Sequence, residues 1–206
     1  MIKNKQYLHL PRIDSIGHYQ FITFRTKESL DSYLKQLYSS NDVEKIKQYK
    51  MDKYLDSSKN GALLYGEVVE KIRYYYLGYD KKVFEIEALS IMPNHIHVLL
   101  KQNDNMANVM RVLKGGVGHI VNKTLDRSGA VWSRDYYDKA IRDEKHFWLV
   151  YEYIKYNAVK ANLNDANERF YGRQESEGSA SASISSESDG SASAAVRDCT
   201  QGYTLR

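Results

Sequence analysis

The sequence predicts an α+β fold in which helices pack on an antiparallel β-sheet. Short segments rich in aromatic and β-branched residues are typical of strands, and they alternate with longer segments whose apolar residues recur every three or four positions. Pro93 and Asn94 separate two of the strand-like segments and indicate a tight turn, so those two strands should be antiparallel neighbours. The order strand, helix, two strands, helix, strand, helix then favours one sheet with helices packed on it.

The first predicted elements follow from local composition. Residues 18–26 (HYQFITFRT) are dominated by aromatic and β-branched residues and end in charge, which predicts a strand. Residues 27–60 are polar and helical in character. Residues 61–78 repeat apolar residues at helical spacing, and Gly78 is a suitable end for this helix.

The later elements follow from the same patterns. Residues 83–92 and 95–101 are predicted to form the two strands of a hairpin around the Pro-Asn turn. Three further elements are a helix with a weak Gly-Gly point, a strand region and a long helix, over residues 105–125, 130–141 and 144–163.

One domain and a tail account for the whole chain. At 206 residues with 42% hydrophobic content, the chain can bury one sizeable core. Residues 176–195 (SEGSASASISSESDGSASAA) are almost entirely Ser, Ala, Gly and acidic residues, and they cannot bury enough apolar surface to offset the entropy lost on ordering. We therefore predict a folded domain over residues 1–172 and a disordered tail over residues 173–206.

Several classes of protein are excluded by what the sequence lacks. No apolar run approaches the roughly 18 residues that a membrane span needs, and the N-terminal MIKNKQYLHLPR has no apolar core typical of a signal peptide. We therefore expect a cytoplasmic protein with no membrane partner. The single cysteine, Cys199, rules out an internal disulfide and a cysteine-based zinc cluster, so any metal must be bound by nitrogen and oxygen ligands.

Positive charge is concentrated in the predicted domain. The net charge of the chain is +4. Three arginines and five carboxylates lie from Arg173 onward, which leaves 27 basic and 21 acidic groups, or +6, in residues 1–172. An excess of this size is compatible with phosphate-bearing partners, although solvated lysine-rich surfaces produce it as well.

Two histidines stand in the second strand of the predicted hairpin, IMPNHIHVLL. Residues two apart in a strand point to the same face, so His95 and His97 should project together while Ile96 and its alternate neighbours enter the core. Residues near Met92, Ser90 and Ala88 should face them across the hairpin, and two of these are small, which leaves space above the sheet. Paired imidazoles can hold a divalent cation if a third ligand is supplied from elsewhere. Ordinary hydrogen-bonded histidines are the alternative.

The long final helix offers two further polar groups. Its apolar stripe should face the sheet and consists of Phe147, Val150, Tyr151, Ile154, Ala158 and Ala161. Tyr153 and Asn157 are four residues apart and therefore share one side of the helix at the edge of that stripe. An amide oxygen suits Mg²⁺ or Mn²⁺, and a phenolate beside such an ion can attack phosphorus. The alternative is a structural tyrosine, since the chain has 18.

Four segments together resemble the REP-associated tyrosine transposases of bacteria, a branch of the single-tyrosine HUH transposases. In chain order they are FITFRT, MPNHIHVLL, VWSRDYYDKAIRDEKHFW and YIKYNAVKANL. MPNHIHVLL is similar to the His-hydrophobic-His motif of these enzymes, and the last segment to their tyrosine helix. The resemblance covers roughly residues 15–165 and not the tail.

The resemblance implies a fold, an activity and a set of site residues. The family fold is a ferredoxin-like or RRM-like antiparallel sheet with the HUH motif on a central strand and the tyrosine on the C-terminal helix. By position, His95, His97 and Asn157 would bind Mg²⁺ or Mn²⁺, and Tyr153 would be the nucleophile. Members cut single-stranded DNA next to hairpins through a 5′-phosphotyrosine and a free 3′-OH, which they can rejoin. The protein would then be nucleoid-associated when bound to DNA, and this branch favours a monomer over a homodimer.

One position departs from the family pattern. Relatives commonly have proline directly after the asparagine, whereas this chain has Ala158. Proline would bend the helix there, so alanine leaves it straighter and alters how Asn157 would reach an ion.

Candidate DNA contacts are cations close to aromatic residues. Single strands are bound by stacking of bases on aromatic rings and by cations at phosphates. The cations Arg134, Lys139 and Arg142 surround Trp132, Tyr136 and Tyr137. The remaining candidates lie at the end of the first strand and on the middle helix, namely Arg25, Lys27, Arg111, Lys114 and Lys123. Solvated lysines and core aromatics are the alternative interpretation of each.

Two other functions remain open. A host-adopted RRM-like protein could bind nucleic acid without cleaving it. A metal-dependent hydrolase of another phosphodiester could use water as its nucleophile, in which case Tyr153 would be dispensable.

Overall fold

The computed structural model describes residues 14–174, which contain a five-stranded antiparallel sheet with the order β4-β1-β3-β2-β5. The strands are β1 (Tyr19–Arg25), β2 (Phe84–Ile91), β3 (His95–Gln102), β4 (Tyr137–Ala140) and β5 (Phe170–Gly172). The first four alternate with helices in a β-α-β-β-α-β sequence and so form a ferredoxin-like sheet, to which β5 adds an edge strand. The predicted α+β class is confirmed, and the histidine-bearing strand β3 is central.

The helices largely follow the predicted segments. They are α1 (Ser32–Ser39), α2 (Glu44–Ser57), α3 (Glu67–Tyr79), α4 (Met106–Met110), α5 (Val117–Thr124), α6 (Glu144–Lys160) and α7 (Ala166–Arg169). A π-helical segment, Arg111–Gly116, joins α4 to α5 and contains the predicted weak point. The helix predicted from residue 61 begins only at Glu67, because Gly66 adopts a positive φ of 49° that a helix cannot include. Neither α7 nor β5 was predicted.

The two faces of the sheet have different coverings. Ile96, Val98 and Leu100 of β3 enter the larger core, which α3 and α5 cover. The opposite face, which carries the histidines, packs Phe21 and Leu99 against α6. The predicted division of β3 into a core face and a histidine face is confirmed.

Helices α1 and α2 form a small cluster of their own around Leu34 and Leu55. The turn between β2 and β3 holds the C-terminal end of α2, because the Asn94 side-chain amide donates to the carbonyls of Leu55, Ser58 and Asn60 (3.2, 2.9 and 3.2 Å). These bonds satisfy carbonyls that a helix end leaves without partners.

Two further predictions concern the C-terminal tail and membrane-spanning segments. The predicted tail lies outside the described residues except for Arg173 and Gln174, and Arg173 forms an ion pair with Asp80 (2.8 Å). None of the helices within residues 14–174 combines the length and apolar character that a membrane crossing requires.

Candidate metal and nucleophile site

The imidazoles of His95 and His97 meet edge to face on the covered side of the sheet. Both residues are fully buried, and their Nε2 atoms are 2.9 Å apart. Their positions follow from the ladder, because His97 lies opposite Ser90 of β2 and opposite Thr23 of β1. Of the predicted cross-strand neighbours, Ser90 lies opposite His97 and the Met92 amide donates to the His95 carbonyl at 2.9 Å, whereas Ala88 lies opposite Leu99. Helix α6 covers this face.

Hydrogen bonds determine which nitrogen of His95 carries the proton. The Asn94 amide nitrogen donates to three carbonyls, so its Oδ1 is the atom that faces His95 Nδ1 at 2.7 Å. Because this oxygen can only accept, His95 Nδ1 must donate. In neutral His95 the Nε2 lone pair is therefore free to face the other imidazole.

His97 can exist in either tautomer because of its partner. Its Nδ1 is 2.8 Å from the Thr23 hydroxyl, a group that can both donate and accept. Burial lowers the pKa of His97 well below its usual value, and His95 lowers it further. His97 is therefore neutral near pH 7. In one tautomer the proton is on Nε2, which donates to His95. In the other tautomer the proton is on Nδ1, which donates to Thr23, and the Nε2 lone pair can bind a cation.

A third ligand candidate comes from α2. Asp56 Oδ1 lies 3.4 Å from His95 Nε2, and one ligand atom from each of Asp56, His95 and His97 falls within 4.8 Å of the others. Asp56 Oδ1 is buried and receives no hydrogen bond within residues 14–174. A divalent cation held between this carboxylate oxygen and the imidazole nitrogens would satisfy all three groups. The three residues therefore fit a divalent metal of the imidazole and carboxylate type.

Tyr153 lies beside the histidines. Its ring centroid is 5.3 Å from that of His97 and 5.9 Å from that of Phe21, both edge to face. Its hydroxyl donates to Asp52 Oδ2 at 3.3 Å. The predicted proximity of this phenol to the histidine pair is thus present in the structure.

Asp52 is a buried carboxyl that sequence reasoning missed. Its other oxygen accepts from Gln48 Nε2 at 2.7 Å. Burial, together with the nearby carboxylate of Asp56, raises the pKa of Asp52 to about 8 despite the lowering effect of the two hydrogen bonds. Asp52 and Asp56 lie four residues apart and so share one side of α2. The four-residue spacing of the two acidic residues was the available signal in the sequence. Because α2 is polar, however, its sequence does not show which side of the helix faces the sheet.

Asn157 lies one helical turn beyond Tyr153. It is 2% exposed, and its Nδ2 has no hydrogen-bond partner in the part of the chain that the structure describes. Its role as a metal ligand stays a prediction.

The predicted DNA-contacting cations have varied surroundings. Arg25 is buried at the end of β1, opposite His95 in the ladder. Lys114 Nζ donates to the Ser133 and Arg134 carbonyls (2.7 and 3.0 Å), and burial lowers its pKa. Arg111 donates to Asn108 on its own helix. Lys27, Arg134 and Arg142 are exposed and Lys139 is half-buried.

The aromatic residues among these cations belong mainly to the core. Trp132 is buried and packs edge to face on Phe24 at 4.9 Å, and Tyr136 packs against the same core. Tyr137 packs against Phe21 on the histidine face. Lys123 lines a separate groove between α3 and α5 of about 1050 Å³, on the side of the sheet away from the histidines.

Comparison with known proteins relates the chain to transposases. Residues 59–157 match the family of IS200-like transposases. The chain is 26% identical to an uncharacterised protein of Haemophilus influenzae, over 49% of this chain and 76% of that protein. It is 32% identical, over 37% of its length, to another H. influenzae protein, which is provisionally named a REP-associated tyrosine transposase and of which the match spans 51%.

Two solved structures are also similar. One is a REP-associated tyrosine transposase bound to a REP hairpin, with a TM-score of 0.42 at 18% identity over 74% of this chain and 73% of that chain. The other is provisionally described as a transposase from Deinococcus radiodurans, with a TM-score of 0.41 at 15% identity over 73% and 98%. The segment that matches the family model, residues 59–157, contains both histidines, Tyr153 and Asn157, whereas Asp52 and Asp56 precede it.

Proposed function

The chain is a relative of the IS200-like transposases through the segment that carries its histidines and tyrosine, and from this premise we propose that it is a metal-dependent endonuclease and strand transferase. Its substrate is single-stranded DNA next to a hairpin, in keeping with the name of its relative in H. influenzae. The reaction passes through a 5′-phosphotyrosine on Tyr153.

One observation carries the proposal: the ring of Tyr153 lies 5.3 Å from that of His97, whose Nε2 lies 2.9 Å from that of His95. A nucleophile and a pair of metal-ligating nitrogens thus share one site. The Tyr153 oxygen loses its proton and forms a bond to phosphorus as the bond from phosphorus to the 3′ oxygen breaks. The 3′ oxygen takes up a proton, so the departing strand has a free 3′-OH. The energy of the broken phosphodiester is retained in the phosphotyrosine, which allows rejoining without another energy source.

His95, His97 and Asp56 would hold the metal, with Asn157 as a further candidate from the family pattern. Two imidazoles and a carboxylate favour Mn²⁺ over Mg²⁺, since imidazole is a poorer ligand for magnesium. A bound divalent ion would polarise the scissile phosphate and stabilise the charge that develops on it. Asn94 and Thr23 orient the two imidazoles through their Nδ1 atoms.

The site needs no second chain to bring the tyrosine to the histidines. Tyr153 and His97 of the same chain are in ring contact, which supports a tyrosine that acts in cis and a monomer as the active form.

The test is incubation of the purified protein with labelled single-stranded hairpin oligonucleotides and Mn²⁺ or Mg²⁺, read on a denaturing gel. We expect a covalent protein–DNA band that disappears in Tyr153→Phe, in His95→Ala and with a chelator. Cleavage that persists in Tyr153→Phe would establish water as the nucleophile instead. Binding of the hairpin without cleavage under any metal would favour the non-cleaving nucleic-acid binder.

A further inference from the structure

A hydrogen-bonded pair of side chains on α2 contacts the tyrosine from outside the segment that matches the transposase family. Asp52 Oδ2 accepts from the Tyr153 hydroxyl at 3.3 Å, and Asp52 Oδ1 accepts from Gln48 Nε2 at 2.7 Å. Both α2 residues are buried, with exposed fractions of 9% for Asp52 and 8% for Gln48. Each oxygen of the carboxyl therefore has one defined partner, which determines the direction in which Oδ2 points.

Burial of a carboxyl here is costly, and stability alone does not require it. An apolar side chain of similar size would fill the space beside Tyr153 without any polar atom to satisfy. What a carboxyl adds is a hydrogen-bonding oxygen at one definite position, whether or not the carboxyl holds its proton. The O–H of a phenol prefers the ring plane, where it has two orientations, and a hydrogen-bond partner 3.3 Å away selects one of them.

Helix α2 is also attached to the histidines, so it relates the nucleophile to the rest of the site. Asp56, one turn after Asp52, approaches His95 (3.4 Å). Asn94 joins the same region, because it donates to the carbonyl of Leu55 and accepts from His95 Nδ1. The distance between the tyrosine oxygen and the histidine pair therefore depends on α2.

We propose that Asp52, oriented by Gln48, is a positioning residue that directs the Tyr153 hydroxyl toward the scissile phosphate. The inference rests on the proposed function, since it assigns a role in forming the phosphotyrosine. It predicts that losing this hydrogen bond slows the covalent step while the affinity for DNA is retained, because misplacing a nucleophile by about 1 Å can cost on the order of 100-fold in rate.

The experiment separates the covalent step from binding. Wild type, Asp52→Ala, Asp52→Asn and Gln48→Ala are compared with one hairpin oligonucleotide and Mn²⁺. The single-turnover rate of adduct formation is measured at saturating DNA, and Kd is measured in Ca²⁺ or in a Tyr153→Phe background. We expect Asp52→Ala to be slower by about 100-fold with an unchanged Kd. Asp52→Asn retains a hydrogen-bonding group of the same size and should recover most of the rate, and Gln48→Ala should fall between them.

The outcomes distinguish the inference from its premise. A wild-type rate in Asp52→Ala would overturn the inference while the transposase chemistry stands, and so would a weakened Kd with an unchanged rate at saturation. An Asp52→Asn variant as slow as Asp52→Ala would also overturn it, since a hydrogen-bonding group of the same size would then not be enough to restore the rate. If Asp52→Ala does not fold, as judged by circular dichroism, Gln48→Ala and Asp52→Asn decide by the same criteria. A wild-type protein that forms no adduct would overturn the proposed function and this inference with it.

Discussion

At the scale of single residues, Asn94 has two tasks that a turn residue seldom combines. Its amide nitrogen holds the C-terminal end of α2 through three carbonyls, and this leaves its oxygen to accept from His95 Nδ1. The same side chain therefore selects the His95 tautomer with a free Nε2 and brings Asp56 within 3.4 Å of that nitrogen. The orientation of His95 and the position of Asp56, two proposed metal ligands, therefore both depend on the Asn94 amide.

Replacing Asp56 by Ala should weaken Mn²⁺ binding more than replacing Asn157 by Ala. Asp56 brings a charged oxygen to the histidine pair, whereas Asn157 could offer only a neutral one. We expect a loss of at least about tenfold in affinity for Asp56→Ala, measured by isothermal titration calorimetry with Mn²⁺ on the protein without DNA. If Asn157→Ala bound Mn²⁺ more weakly than Asp56→Ala, the third metal ligand would be Asn157 on α6 and not Asp56.

The buried carboxyl of Asp52 should make stability fall as pH rises. The folded state holds its proton up to a pKa of about 8, while the unfolded state releases it near the ordinary value of 3.8. Between these two pKa values the folded state binds more protons, so the free energy of unfolding decreases with rising pH, by at most about 1.4 kcal/mol per unit. Asp52→Asn removes this dependence. Urea unfolding in chelator from pH 5 to pH 8 should therefore show the wild type losing stability relative to the variant, and parallel curves would contradict it.

How far the site could be predicted depended on whether its residues lie in periodic elements. His95, His97 and Tyr153 occupy a strand and a helix whose periodicity determines which side chains share a face, and they were found from spacing and family resemblance. Asp52 and Asp56 were not found. They lie about 40 residues before the histidines on a polar helix, and contacts with distant parts of the chain, among them those of Asn94, determine which side of that helix faces the site.

At the scale of elements, a β-bulge in β2 makes the two-faced sheet possible. The register with β3 shifts between Ile86 and Ala88, so the simple alternation of faces is reset at Glu87. Ile86 and Leu89 consequently both enter the larger core, while Ala88 faces α6. A strand was predicted here correctly but the bulge was not, although the change of phase between Ile86 and Leu89 was the available signal. The three-residue β5 was too short to give any pattern.

The π-helical segment supports a prediction about its two glycines. A Cβ at Gly116 would lie 1.9 Å from the Tyr75 hydroxyl, whereas a Cβ at Gly115 would meet nothing within 4 Å. Gly116→Ala should therefore displace the Tyr75 ring and cost about 1–3 kcal/mol. Gly115→Ala should be neutral or stabilise the helix by up to about 1 kcal/mol. Urea unfolding of both variants tests the difference.

A double-mutant cycle tests whether contact with Tyr75 causes the loss of stability in Gly116→Ala. In a Tyr75→Ala background the obstacle to a Cβ at Gly116 is gone, so Gly116→Ala should no longer be costly. The same cost in both backgrounds would show that the π-helical backbone itself requires glycine at this position.

At the scale of the whole molecule, the candidate site is assembled from distant parts of one chain. Strand β3 carries the histidines, β1 supplies Thr23, α2 supplies Asp52 and Asp56, and α6 supplies Tyr153. The ferredoxin-like order explains the meeting of the first two, since it places β1 beside β3. Helix α6 then covers the histidine face and brings its tyrosine with it.

This assembly predicts that the tyrosine and the histidines act within one chain, which mixing of variants can test. Tyr153→Phe lacks the proposed nucleophile, and His95→Ala lacks a proposed metal ligand. If each chain uses its own α6, an equimolar mixture of the two should form no more covalent adduct with a hairpin oligonucleotide than either variant alone. If chains exchange α6, the mixture should regain about a quarter to a half of wild-type activity, because hybrid pairs would contain one intact site.

Wild type diluted with Tyr153→Phe provides the reference for partial activity, and sedimentation of the wild type should give a monomer. Restored cleavage in the mixture would mean that the contact between Tyr153 and His97 is made between partners, and that a dimer is the active form.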